Sequence, residues 1–113
     1  MPYTPTLEPL CACKGREFAA AAGNHGETLA LGMAEVTRHQ GLYAGFEFAK
    51  QEGGELVASV CKSLLVDAGV MTDQESIKRH VATNLGRLLA ARKLILRMCD
   101  FAYLHARGMR VRS

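Results

Sequence analysis

The stretch from Thr72 to Arg107 constrains this chain more than any other. Thr72-Asp73-Gln74-Glu75 has the capping-box spacing, with a hydroxyl to accept the Glu75 N–H and a carboxylate to accept the Thr72 N–H. Asp73 and Glu75 also sit where a helix dipole favours negative charge. No proline follows, and Gly108 stands where a C′ glycine would end the helix. The pattern predicts one helix of about ten turns. Its weak interior point is Gly86, which costs about 1 kcal/mol relative to alanine.

At 100° per residue, Ile77, Val81, Leu85, Leu88, Ile95, Cys99, Ala102 and Ala106 fall on one apolar stripe. From Leu94 onward apolar residues cover most of the circumference, and only Lys93, Arg97 and Asp100 hold a polar wedge. A helix of about 35 residues is roughly 50 Å long, whereas a compact chain of 113 residues is roughly 35 Å across. The helix is therefore expected to protrude and to bury its apolar face in a homodimer, through Leu94, Met98, Phe101 and Leu104, or else in a monomer that hides this face only by binding something else.

Ahead of this helix the chain reads as all-α, a small bundle of three to four helices with no alternating strand pattern. Residues 1–14 read as an extended arm with three prolines, and residues 15–108 as a single helical domain ending in a basic tail, 109–113. Gly15 to Ala22 supports two helical turns, and Asn24-His25-Gly26 a turn. Glu27 to Glu52 is helical with a bend or a tight backbone contact at Gly41 to Gly45. Gly53-Gly54 is a linker, and Leu56 to Ala68 an amphipathic helix with Val57, Val60, Cys61, Leu64 and Leu65 inward. Gly69 ends it in the left-handed conformation, and Val70 plugs the core.

No apolar run approaches the roughly 20 residues of a membrane span. The first ten residues carry three prolines and no basic side chain, unlike a secretory signal. A cytoplasmic, bacterial protein with reduced thiols is expected. Net charge is +3, but residues 76–113 hold nine Lys/Arg against Asp100 alone, while residues 1–75 hold five against ten Asp/Glu. The split predicts a basic helix lying against its own acidic half or a dimer mate's, with an acidic protein or nucleic acid as the other partners.

Chemistry-bearing motifs are sparse. Cys11-Ala12-Cys13 is too tightly spaced for the common zinc knuckle, and no further pair completes four ligands. Glu35 and His39 share a helical face, but a di-iron bundle needs Glu-x-x-His twice. No nucleophile elbow, phosphate loop or Cys-x-x-Cys occurs, so no cofactor, metal or catalytic residue is assigned and a non-enzymatic role is expected. Val60 through Val81 has a helix-turn-helix flavour, yet Asp73 and Glu75 would carry negative charge into the groove. Nucleic-acid binding by the basic last third is the alternative reading. The leading one is protein binding through Tyr43 and Phe48, which point away from the core-facing row of Leu42, Phe46 and Ala49, together with Leu42, Phe46 and the outward Val66, with Arg87, Arg92 and Arg97 steering encounter.

Length, the all-helical plan, the expected dimer and the missing active site, with Gly41–Phe48 and Thr72–Arg107 as the matching stretches, resemble the QslA-like antiactivators of bacterial quorum sensing. The resemblance implies a dimer that binds the ligand-binding domain of a LasR-type transcription factor. It would displace that regulator's own dimer partner and so block DNA binding, an exchange an apolar helix face can perform.

Overall fold

The computed structural model describes residues 7–79 and 84–112, and among these it is all-α with five helices. They are α1 (Glu8–Ala22), α2 (Gly26–Gln40), α3 (Leu42–Gly53), α4 (Glu55–Asp67) and α5 (Leu85–Arg112). A 3₁₀ turn, Gly23–His25, joins α1 to α2, and residues 77–79 form a helical turn.

The N-terminal arm is a correction. Helix α1 already begins at Glu8, with Pro9 in its first turn, where the missing N–H removes no helical bond. Proline there starts a helix, although in the sequence it reads as an extended chain. Residues 1–6 of the expected arm, and Val81 of the expected stripe, lie outside the described residues.

The junctions expected in the middle of the chain are present. Gly41 at φ 102° separates α2 from α3, and Gly54 at φ 96° separates α3 from α4. Helix α4 ends in a Schellman motif: the Gly69 N–H donates to the Val66 carbonyl and the Val70 N–H to the Leu65 carbonyl, each at 3.0 Å. Gly69 has φ 76°, and Val70 is buried.

The long helix starts later than its sequence implies. The Thr72 N–H does donate to the Glu75 carboxylate at 3.2 Å. The Glu75 N–H, however, donates to the Thr72 carbonyl at 3.2 Å, closing a turn, and Glu75 and Ser76 are not helical. Ser76 then caps the 77–79 turn through its hydroxyl and the Arg79 N–H, and Asn84 Oδ1 accepts from the Arg87 N–H at 3.0 Å to open α5. Gly86 therefore lies in the first turn of α5. The helix runs on through Gly108 to Arg112, so the expected tail is helical to that point.

Helix α5 has 28 residues, about 42 Å at its standard rise, and the molecule measures 44 × 30 × 25 Å. It runs along the long dimension of the molecule and is longer than the 15-residue helices α1 and α2 that pack on it. On one side lies α1: Glu8 reaches Arg97, and Gly15 faces Met98 and Ala102. On the other α2 runs antiparallel, with Gly26 facing Ala106 and the Arg38 carbonyl accepting from Arg92 at 3.3 Å. Leu94, Ile95 and Met98 fill the core with Phe18, Met33, Leu42, Leu64 and Leu65.

A candidate protein-docking cleft

Helices α3 and α4 diverge from the Gly53-Gly54 junction, and the 76–78 segment folds over the gap between them. Tyr43 and Phe46 from α3, Ala58 from α4 and Ile77 enclose a cleft of about 300 Å³. The Lys62 ammonium donates to the Asp73 carbonyl at 2.8 Å, which ties the covering segment to α4. The Lys78 ammonium stands 5.6 Å from the centre of the Tyr43 ring, within cation–π range. Lys50 pairs with Glu55 across the mouth at 3.6 Å. The floor is apolar and the rim is charged, the layout of a socket for an apolar side chain with polar neighbours.

The residues expected to bind a partner are thus split. Tyr43 and Phe46 share this cleft, and Val66 lines a shallow continuation past Ser59 and Lys62. Phe48 points to the other side of α3, where its ring covers Gly32 and borders a separate hollow with His25 and Glu52. Leu42 is buried in the core and presents no surface. The sequence reading missed Ala58, Ile77, Lys62 and Lys78. They come from elements up to 35 positions away in sequence from Tyr43, and only the hydrophobic anchor Ile77 carried a signal, as a member of the wrong helix.

Three of the four residues expected at a dimer face are placed elsewhere. Leu94 and Met98 are fully buried in the chain's own core, and Phe101 is half-buried under the Arg97 guanidinium, 4.6 Å from its ring centre, with its Cβ against Gly15. Leu104 alone is well exposed. Leu85, expected on the core stripe, is exposed as well, because the first turn of α5 extends past the end of α2.

The steering arginines are engaged within the chain. Arg97 donates through Nε to both Glu8 carboxylate oxygens, at 2.9 and 2.8 Å, and also meets Asp100 at 3.6 Å. Arg87 pairs with Glu75 at 3.5 Å, and Arg92 reaches the Arg38 carbonyl. The basic helix thus lies against acidic residues of its own first two thirds.

The thiols are free, with Cys13 exposed and Cys11, Cys61 and Cys99 buried. Burial pushes the Cys11 thiol up to about 11 and the Cys99 thiol up to about 12, and holds Cys61 well above the usual range. Such thiols are poor nucleophiles and poor metal ligands. His39 pairs with Glu35 at 3.3 Å on the open surface. Among the described residues no three His, Cys, Asp or Glu side chains gather as a metal site, and no helix is long and apolar enough to cross a membrane.

Comparison with protein-family models, with curated proteins and with solved structures finds no match to this chain.

Proposed function

We propose that this chain is a non-catalytic regulatory protein that binds another protein by seating an apolar side chain of the partner in the α3–α4 cleft. The observation that carries the reading is the cleft's construction, an apolar floor of Tyr43, Phe46, Ala58 and Ile77 inside a charged rim. Its volume of about 300 Å³ is at the lower bound for small-molecule pockets, which enclose most of their ligand. An open cleft of that size suits a single anchoring side chain on a helix, the way helix-in-groove complexes concentrate their affinity. The resemblance to quorum-sensing antiactivators adds the class of partner, a LasR-type transcription factor held off DNA by occupation of its dimer face.

The test is affinity capture from a nuclease-treated lysate of the source cell, followed by a high-salt wash. One stoichiometric protein should remain with the wild-type chain, and its identity tells whether it is a transcription factor. Ala58→Arg, which fills the cleft from a half-buried position, should lose that protein with helicity unchanged by circular dichroism. Retention of the same protein by Ala58→Arg would remove the cleft from consideration.

A further inference from the structure

The charges around the α3–α4 cleft are unevenly placed. The two helices part at the Gly53-Gly54 junction, so Lys50 and Glu55 stand at the narrow end of the cleft and Tyr43 and Lys62 at the wide end. At the narrow end Glu55 neutralises Lys50 at 3.6 Å. The half-buried Glu47 lies one turn before Lys50 on α3, so that half holds two acids against one cation.

The wide end is the reverse. Lys62 uses one N–H on the Asp73 carbonyl at 2.8 Å, and Lys78 lies over the Tyr43 ring, 5.6 Å from its centre. Neither lysine is paired with a carboxylate among the described residues. A carbonyl and a ring face attract an ammonium without cancelling its charge, and each ammonium keeps further donors. Past Lys62 the shallow continuation holds Asp67 and Asp73. Asp67 pairs with Lys14 at 3.2 Å, which leaves the exposed Asp73 alone against two cations. Between the two ends lies the apolar floor of Phe46, Ala58 and Ile77.

Two cations unmatched within the chain and set beside an apolar floor are complementary to an acid attached to an apolar group. A nucleic-acid backbone, charged along its whole length, would set phosphates against Glu47 and Glu55 as well. We infer that the partner segment seated in this cleft is an acidic amphipathic helix, with a carboxylate one turn from its apolar anchor that binds Lys62 and Lys78. The inference rests on the reading of the cleft as a docking site and adds the chemistry of what docks. Residues four apart on a helix stand about 5–6 Å apart at Cβ, so one turn brings the anchor to the floor and the acid to the wide end. The acid is received by α4 and the covering segment, whereas Arg87, Arg92 and Arg97 of α5 are engaged within the chain.

Two alanine-rich helical peptides of about 16 residues serve as probes. One carries a phenylalanine and a glutamate four positions apart, the other a phenylalanine and a lysine at the same positions. Each is titrated to millimolar concentration into the isotope-labelled full chain at low salt, and the amide shifts of Tyr43, Ala58 and Ile77 are followed. The glutamate peptide should bind at least about fivefold more tightly than the lysine peptide, and the gap should close at high salt. Lys78→Glu, which leaves the Lys62 tether in place, should remove the preference, and Lys62→Glu/Lys78→Glu should reverse it, with helicity unchanged in both. Equal affinities of the wild-type chain for the two peptides would overturn the inference and leave the cleft an apolar socket indifferent to charge. A preference that survives Lys78→Glu would also overturn it. If neither peptide moves the cleft resonances, the docking reading fails together with the inference.

Discussion

Thr37 is a polar residue placed in the core. Its side chain is fully buried on α2, and its hydroxyl lacks a hydrogen-bond partner among the described residues. That condition costs about 1–3 kcal/mol. What it meets instead is Gly45 of α3: a methyl group at Gly45 would collide with Thr37 Oγ1 and sit 3.2 Å from its Cβ. The α2–α3 packing distance is therefore set by a glycine facing a threonine. Gly45→Ala gains about 1 kcal/mol of helix propensity but overpacks a contact made by a rigid β-branched side chain. Overpacking costs about 1–3 kcal/mol, so we expect net destabilisation. In a Thr37→Ala background the same change should be neutral or stabilising. A urea-denaturation cycle over the four proteins should give a coupling above about 1 kcal/mol, and additivity would show that this close approach does not set the helix spacing.

At the scale of elements, the boundaries of α5 and α1 follow from local hydrogen bonds that compete with one another. Thr72, Ser76 and Asn84 all carry helix-start chemistry, and each is used. Only Asn84 is followed by the long helix, since Thr72 and Glu75 close a turn on themselves. Asn84→Ala should cost about 1 kcal/mol, the usual value for a lost N-cap. Thr72→Ala should cost a few tenths, because the Thr72 bonds use its backbone. Equal losses in thermal denaturation would restore Thr72 as the start of the long helix. Helix α4 was legible in advance because everything about it is local: inward residues at 3.6 spacing and a glycine that satisfies its last carbonyls. The same is true of the break at Gly41. The second half of helix α1, Gly15 to Ala22, was legible, but its first half was not, since Pro9 serves equally in an arm or in a first helical turn and only packing on α5 decides between them. The outward face of α5 was mistaken for the reason given by its neighbours. Leu94 and Met98 are covered by α1 and α2, whose positions no periodicity within residues 85–112 reveals.

Across the whole molecule, the candidate cleft was legible in half. Tyr43 stood out because it departs from the core-facing row of α3 and Phe46 as an aromatic member of that row, whereas Ile77 and Lys78 join them only through the fold of the 72–78 segment over α4. The buried thiols have a global consequence that can be measured. Cys11, Cys61 and Cys99 are all pushed up from an ordinary value near 9 by burial, Cys11 to about 11 and Cys99 to about 12. Above pH 9 the unfolded chain releases these protons while the folded chain retains them. The native state is then the more protonated one, and its stability falls as pH rises. Each thiol contributes about 1.4 kcal/mol per pH unit between its unfolded and folded values, or about 4 kcal/mol per unit for the three. Lys14 acts in the same direction at higher pH. Burial opposes its charge, but hydrogen bonds from its ammonium to Asp67 and Glu17 outweigh burial and raise its pKa, so its stabilisation is lost as pH climbs through the raised value. A domain stable by about 5–15 kcal/mol should therefore keep its helicity from pH 6 to 9 and unfold between about pH 10 and 12. Thiolate absorbance from the three buried cysteines should appear together with the loss of helix in a parallel circular dichroism titration. If that absorbance rises fully below about pH 9.5 while the helices persist, the thiols are not buried as the fold places them.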